Sequence, residues 1–250
     1  MALIAGRRAI ALDPGIAALA SARCDLPAFQ VPGGPQGEPA VRLSAAGPPG
    51  SMPREAVRLG RGGYLSPDGG ADLQVWLPGD AYSAEAALRA AYAYAFERQG
   101  GLLLHAAGIC FPDPGAGAWL AVGPSEAGKS TLSQLCADAG AEVLSDETVG
   151  WLPDGTLWAT PFRSSARFDR RGPPSARALS VLAFLEHGEA EALERMEGAA
   201  AVRRLLPQTY RTRGPPALKA VAALVEQRGA HRFRFRNRPE AAAFVRAARG

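Results

Sequence analysis

Lysine is almost absent from this 250-residue chain: Lys129 and Lys219 are the only two among its 28 basic residues. All the other basic residues are arginine, and alanine, glycine and proline are abundant, a bias typical of a GC-rich bacterial genome. That bias makes Lys129 informative, because the chain keeps a lysine there although it uses arginine almost everywhere else.

Three further features that the sequence lacks exclude whole classes of protein. Its three cysteines, Cys24, Cys110 and Cys136, are odd in number and have no ligand spacing, which argues against a disulfide framework or a zinc site. No apolar run reaches about 18 residues, and the N-terminus lacks the order of a signal peptide, so we expect a cytoplasmic protein with no membrane partner. The net charge of +4 is too small to indicate nucleic acid as a partner.

The composition, with 47% hydrophobic and 21% charged residues, is that of a globular protein with one large domain or two small ones. Residues 1–80 are rich in glycine and proline and contain short apolar runs between turns. This pattern predicts a region of strands and turns with little helix, of unknown role. Residues 81–250 carry the motifs described below and are predicted to form an α/β catalytic domain.

Periodicity and end signals predict the elements of this second part. A helix is expected over 83–99, capped by Ser83 and ended by Gly100 and Gly101. The other expected elements are strands over 101–111, 118–123, 141–147, 178–185 and 231–235, helices over 129–139, 189–206, 216–228 and 239–248, and a hairpin over 148–162 that turns at Asp154-Gly155.

The segment GPSEAGKST at 123–131 contains the complete frame G-x-x-x-x-G-K-S. It stands between a predicted buried strand and a predicted helix, which is the context of a phosphate-binding loop. The backbone N–H groups of such a loop form an anion-binding concavity to which the helix adds its positive end. Lys129 would neutralise the β- and γ-phosphates, and the Ser130 hydroxyl would ligate Mg²⁺. The predicted ligands are therefore ATP, or another nucleoside triphosphate, and Mg²⁺.

The residues predicted to contact the nucleotide are the nine of this loop: Gly123, Pro124, Ser125, Glu126, Ala127, Gly128, Lys129, Ser130 and Thr131. Glu126 places a carboxylate in the middle of the loop, where it would repel phosphate. Because phosphate is held chiefly by backbone N–H groups, the lysine and the metal, we expect the Glu126 side chain to face away from the phosphates.

Two acids and a histidine are further candidates for the site. Asp146 and Glu147 follow an apolar strand that should lie beside the loop strand, where they could hold Mg²⁺ or accept a proton from an attacking hydroxyl. The alternative is that they are solvated acids at a strand end. His105 lies on an apolar strand, where a lone histidine is usually a hydrogen-bonded core residue.

Two arginines downstream, Arg163 and Arg167, could stabilise the charge of a transferring phosphoryl group. The alternative is that they are ordinary surface arginines in a chain that is rich in this residue.

The stretches LLLHAAGI, GPSEAGKSTL and EVLSDE, in this order, resemble the HPr kinase/phosphorylase catalytic domain. They are closer still to short HPr-kinase-like proteins of bacterial peptide-modification clusters, including kinases of lasso-peptide precursors. The resemblance covers roughly residues 83–250. It implies a P-loop kinase core related to phosphoenolpyruvate carboxykinase, and transfer of phosphate from a nucleotide to a serine hydroxyl of a peptide or small protein.

The resemblance also implies roles for single residues. Asp146 corresponds to the proton acceptor for the target serine, Glu147 to the acid that assists with metal, and His105 to a histidine near the phosphates. The implied catalytic residues are thus Asp146, His105 and Lys129, and the implied metal ligands are Ser130, Asp146 and Glu147. The family usually has Asp-Asp where this chain has Asp-Glu, and often glycine at the position of Glu126. Its members often form homo-oligomers.

The sequence thus predicts a serine kinase that uses an alcohol group as acceptor, but it leaves alternatives open. The chain could be a nucleotide-dependent regulatory module without an acceptor, a kinase of a small-molecule hydroxyl, or a binding protein that has lost catalysis. The acceptor, the preferred base, the oligomeric state and the occurrence of phosphorolysis are not determined by the sequence.

Overall fold

A computed structural model of the chain describes residues 1–31, 39, 41–45, 57–59, 63–67, 72–162, 175–210 and 216–248. The described residues form a mixed α/β structure, as expected. The strands are β1 (Ala2–Ala5), β2 (Arg8–Leu12), β3 (Val41–Ala45), β4 (Val57–Leu59), β5 (Gly63–Pro67), β6 (Asp72–Trp76), β7 (Leu102–Leu104), β8 (Ala106–Cys110), β9 (Ala118–Val122), β10 (Glu142–Ser145), β11 (Val149–Trp151), β12 (Thr156–Trp158), β13 (Ala176–His187), β14 (Ala192–Arg195), β15 (Thr209–Tyr210) and β16 (His231–Phe235). The α-helices are α1 (Pro14–Ala20), α2 (Ala81–Glu97), α3 (Lys129–Asp138), α4 (Gly198–Leu205), α5 (Pro216–Arg228) and α6 (Pro239–Ala247).

The N-terminal region forms a six-stranded mixed sheet in the order β1-β2-β3-β6-β5-β4. β2, β3 and β6 run parallel, and the pairs at both edges are antiparallel. The predicted strands of this region are confirmed. The short helix α1 was not predicted from the sequence, although Asp13 caps it through the backbone N–H groups of Gly15 and Ile16 and Pro14 is its first residue.

Helix α2 lies between this sheet and the rest of the molecule. It begins two residues before the predicted start, because Asp80 rather than Ser83 is its N-cap: the Asp80 carboxylate accepts the backbone N–H of Ser83 at 3.0 Å and its hydroxyl at 2.7 Å. Tyr92 is fully buried, and its hydroxyl donates to the carbonyl of Ile4 on β1 at 2.8 Å. Apolar residues of both sheets and of α2 form one continuous core cluster.

The second sheet has the strand order β10-β8-β9-β13-β12-β11-β7-β15, with β16 paired to β13 and β14 paired to β16. The predicted strand over 101–111 is interrupted at His105 into β7 and β8, which join different parts of this sheet. The acid-tipped strand β10 does not lie beside the loop strand β9 as expected. Strand β8 stands between them and is antiparallel to both.

The helix predicted over 189–206 is wrong in its first half. Residues Ala192–Arg195 form β14, and α4 begins only at Gly198. Pairing with β16, together with the ion pair between Glu194 and Arg234, overrides the local helical preference. The other predicted elements of this part are confirmed, namely the hairpin β11–β12 that turns at Gly155, strand β13, helix α5, strand β16 and helix α6.

No helix in the described part of the chain is both long and apolar enough to cross a lipid bilayer.

The contact between α2 and the hairpin depends on a residue without a side chain. A Cβ atom on Gly150 would lie well inside contact distance of the Phe96 ring, which is itself fully buried. We therefore expect Gly150→Ala to lower the free energy of unfolding by about 2 kcal/mol or more, as overpacking does. Gly198→Ala is the matched control, since its Cβ would meet only Val225 at 3.8 Å. Urea unfolding measures both variants; equal midpoints would contradict this packing.

Candidate functional site

The topology of the second sheet brings the predicted site residues to one edge. Because β8 runs antiparallel between β9 and β10, the start of β8 lies at the same edge as the carboxyl ends of its two neighbours. His105 precedes β8, Gly123 follows β9, and Asp146 follows β10. Strand β13 is parallel to β9, so its end at His187 also reaches this edge.

The phosphate-loop frame has the predicted strand–loop–helix geometry. The chain leaves β9 at Val122 and enters α3 at Lys129, with Gly128 as N-cap at φ 95°. Only glycine is comfortable there, because its φ is left-handed and a Cβ atom would lie 2.8 Å from the Phe235 ring. The N-terminus of α3, which is the positive end of the helix dipole, therefore faces the loop.

Lys129 is 7% exposed, and its ammonium is held against the loop itself. Nζ donates to the carbonyls of Gly123 at 2.7 Å and Pro124 at 3.0 Å. Burial lowers the pKa of Lys129, and the nearby carboxylates of Glu147 and Asp146 act in the opposite direction. The ammonium is thus placed at the loop and within the field of both predicted acids.

Glu126 is exposed and has φ 70°, the one positive φ of a non-glycine residue among the described residues. Its carbonyl accepts a hydrogen bond from Nε2 of His187 at 3.3 Å, so this nitrogen carries the proton. The contact is made by the backbone of Glu126 and leaves its carboxylate at the surface. That the carboxylate faces away from a bound phosphate stays a prediction.

The left-handed backbone of Glu126 gives a stability prediction. A non-glycine residue in this region costs roughly 1–2 kcal/mol, and part of that is offset by the greater freedom of glycine in the unfolded chain. We therefore expect Glu126→Gly to raise the free energy of unfolding by about 1 kcal/mol. Glu126→Ala is the control, because it removes the same charge but keeps the strain. Equal stability of the two variants in urea would show that charge, and not backbone strain, is responsible.

The two predicted acids differ in environment. Asp146 is 1% exposed, so it is not a solvated acid at a strand end, whereas Glu147 is half-buried. Ser145 shapes the turn that carries them, because its Oγ donates to the carbonyl of Phe162 and accepts the backbone N–H groups of Glu147 and Thr148. These hydrogen bonds therefore fix the backbone of the turn on which both acids lie.

His105 is half-buried at the break between β7 and β8. Its backbone N–H donates to the carbonyl of Gln208 at 2.7 Å, and its Nδ1 lies 3.2 Å from the side-chain oxygen of the same residue. Burial, and then the charge of Lys129, lower the pKa of His105. The imidazole of His105 is therefore neutral at neutral pH.

Arg89 on α2 was not singled out from the sequence, yet it lies in this site. Its Nη2 is 3.3 Å from Oε1 of Glu147, and its Nη1 donates to Oγ1 of Thr148 at 2.5 Å. The only local signal is its spacing of four residues from Glu85, which indicates a helical ion pair and nothing about a site.

The remaining predicted residues are placed as follows. Ser130 is exposed in the first turn of α3, Thr131 is half-buried, Ser125 is exposed and Ala127 is buried. Arg163 and Arg167 lie outside the described residues. No group of three or more histidine, cysteine, aspartate or glutamate side chains in the described ranges could hold a metal ion by itself.

The described residues thus place a strand–loop–helix frame, a buried lysine, two carboxylates and a neutral histidine at one sheet edge. Comparison with known proteins adds nothing to this geometry: no protein-family model matches the chain, and no curated protein matches it significantly.

Proposed function

We propose that the chain is an ATP- and Mg²⁺-dependent kinase that transfers a phosphoryl group to a serine hydroxyl of a peptide or small protein. The observation that supports this most strongly is the convergence of Lys129 and the buried Asp146 on a phosphate-loop frame at one sheet edge. In this proposal the second sheet with its helices is a P-loop kinase core, and the reaction takes place in the cytoplasm. Cys24, Cys110 and Cys136 are buried and form no disulfide bond, which suits a reducing compartment.

Phosphate binding is assigned to the loop and to Lys129. Backbone N–H groups at the start of α3 would hold the phosphate oxygens. The Lys129 ammonium would exchange its two carbonyl partners, Gly123 and Pro124, for the β- and γ-phosphates. Its burial favours this exchange, because an ammonium shielded from water attracts an anion more strongly than an exposed one does.

The side chains available for a divalent cation are Ser130, Asp146 and Glu147. Hydroxyl and carboxylate oxygens are the hard ligands that Mg²⁺ prefers, and this ion commonly uses one or two carboxylates together with substrate phosphates. The donor set therefore fits magnesium. When bound, Mg²⁺ neutralises charge on the phosphate oxygens during transfer.

Asp146 is assigned the role of general base, which accepts the proton of the acceptor hydroxyl. As the hydroxyl oxygen forms its bond to phosphorus and the bond to the leaving nucleoside diphosphate breaks, the carboxylate of Asp146 takes the hydroxyl proton. His105 is neutral, and its Nδ1 donates to the side-chain oxygen of Gln208, so its Nε2 is an acceptor. Nε2 could therefore receive a hydrogen bond from a metal-bound water without adding charge.

The direct test is incubation of the protein with Mg²⁺ and ATP carrying a labelled γ-phosphate, in the presence of serine-containing peptides. Mass spectrometry should then locate phosphate on a peptide serine. Label that appears only as inorganic phosphate, with every peptide unmodified, would contradict the kinase proposal.

A second candidate function is a nucleotide-hydrolysing regulatory module without a phosphoryl acceptor. One observation favours it: Asp146 is 1% exposed, which leaves little room for an acceptor hydroxyl in this conformation. The labelled-ATP experiment separates the two functions, since hydrolysis without a phosphorylated product favours the module.

A further inference from the structure

Arg89 is the centre of a buried polar cluster that reaches the candidate site from helix α2. Its side chain is 13% exposed. Nη2 donates to Oε1 of Glu85 at 2.6 Å and lies 3.3 Å from Oε1 of Glu147, while Nη1 donates to Thr148 and to the Tyr210 hydroxyl. One guanidinium therefore joins α2, the turn after β10, and β15.

We propose that Arg89 is a positioning residue that holds the Glu147 carboxylate at the phosphate site, an inference that rests on the proposed function. Glutamate has one more rotatable bond than aspartate. Glu147 forms an ion pair with Arg89 at 3.3 Å and also acts electrostatically on a second cation, Lys129. The planar guanidinium of Arg89 holds the Glu147 carboxylate in one orientation, because its N–H donors have fixed directions. Glu147 is thereby kept from folding onto Lys129.

Glu85 has the supporting part in this arrangement. It receives hydrogen bonds from Arg89 and also from Arg23, which belongs to the N-terminal region. Burial alone would raise the pKa of Glu85, but these two arginines lower it overall, so the carboxylate stays ionised. The guanidinium carbon of Arg89 lies over the Phe162 ring, 4.6 Å from the ring centroid. Glu85 and Phe162 thus hold the Arg89 guanidinium in place, and its remaining donors can bind Glu147.

Thr148 is a second partner of Arg89 in the turn after β10. It is fully buried and directly follows Glu147, and its hydroxyl accepts from Arg89. The guanidinium therefore binds both the carboxylate and the adjacent residue, which restricts rotation of the backbone between them.

The test uses three variants and measures Mg²⁺ binding apart from turnover. Arg89→Met removes the charge, and Arg89→Lys keeps the charge without the planar donors. Arg98→Met is the matched control, an exposed arginine at the C-cap of the same helix. Nucleotide affinity is measured with a chelator and then during titration with Mg²⁺. For Arg89→Met we expect the nucleotide affinity measured with chelator to stay within twofold of wild type. The Mg²⁺ concentration that gives half-maximal nucleotide binding should rise at least tenfold.

Arg89→Lys should recover part of this loss, and Arg98→Met should behave as wild type. A folded Arg89→Met protein whose Mg²⁺ requirement stays within twofold of wild type would overturn the proposal. If Arg89→Met does not fold, Glu85→Gln and Arg89→Lys are measured in its place. A Mg²⁺ requirement within twofold of wild type in both of them would overturn the proposal.

A second measurement needs no nucleotide and separates this inference from the proposed function. Arg89→Met, Glu147→Gln and the double variant are compared in urea. We expect the double variant to lose clearly less than the sum of the single losses, since each single change breaks the same contact. Additive losses would overturn the pairing. Wild-type protein that binds no nucleotide would instead overturn the proposed function and leave this comparison valid.

Discussion

Replacing Lys129 by methionine is expected to lower the rate of phosphoryl transfer on the order of 10²–10³-fold, the cost typical of removing one preorganised electrostatic contact. Methionine has a similar length and no charge, so it can occupy the buried position while the phosphates lose their ammonium partner. The carbonyls of Gly123 and Pro124 lose their donor as well, but they lie in a loop that water can reach once the ammonium is gone.

The chain supplies an unusually clean control for this change. Lys219 on α5 is the other lysine of the sequence and is exposed. Lys219→Met should transfer phosphate at the wild-type rate. Initial rates at saturating ATP measure both variants. A Lys129→Met protein that keeps more than half of the wild-type rate would exclude this lysine from the reaction.

Asp146→Asn is expected to reduce the turnover rate on the order of 10²–10⁴-fold, the range that general-base catalysis contributes. Asparagine has the same shape but cannot take the acceptor proton. Asp146 is 1% exposed, and its carboxylate acts to raise the pKa of the buried Lys129, so it also balances a buried cation. We therefore expect some loss of stability in addition to the loss of turnover.

Asp138→Asn is the matched control for Asp146. Asp138 is exposed at the end of α3 and accepts a local hydrogen bond from Gln134 at 2.7 Å. The two roles assigned to Asp146 are separated by the Mg²⁺ dependence. Lost turnover with unchanged Mg²⁺-dependent nucleotide affinity supports the proton acceptor, and a parallel loss of both supports a metal ligand. Wild-type turnover would exclude both roles.

The phosphate loop could be predicted from the sequence because its determinants are local. Gly128, Lys129 and the apolar strand before them are contiguous, and the structure shows the corresponding strand–loop–helix order. The glutamate inside the loop could be seen in the sequence, but its backbone conformation could not. Glu126 adopts the left-handed backbone that glycine favours, so this position of the loop is strained.

Arg89 could not be found in this way, because the contacts that define it are distant in the sequence. Its hydrogen-bond partners Thr148 and Tyr210 lie 59 and 121 residues away. The place of β8 between β9 and β10 is likewise set by strand pairing, which a single sequence does not specify. The strand β14 was missed for a related reason, since residues 192–195 extend only to pair with β16.

The central claim is that this loop is a nucleotide site that recognises phosphate, and thermal unfolding of the wild-type protein tests it most directly. The midpoint should rise with ATP and ADP in the presence of Mg²⁺, and should not change with adenosine, since recognition is assigned to the loop, Lys129 and the metal rather than to the base. An unchanged midpoint with ATP, or an equal shift with adenosine, would contradict the account.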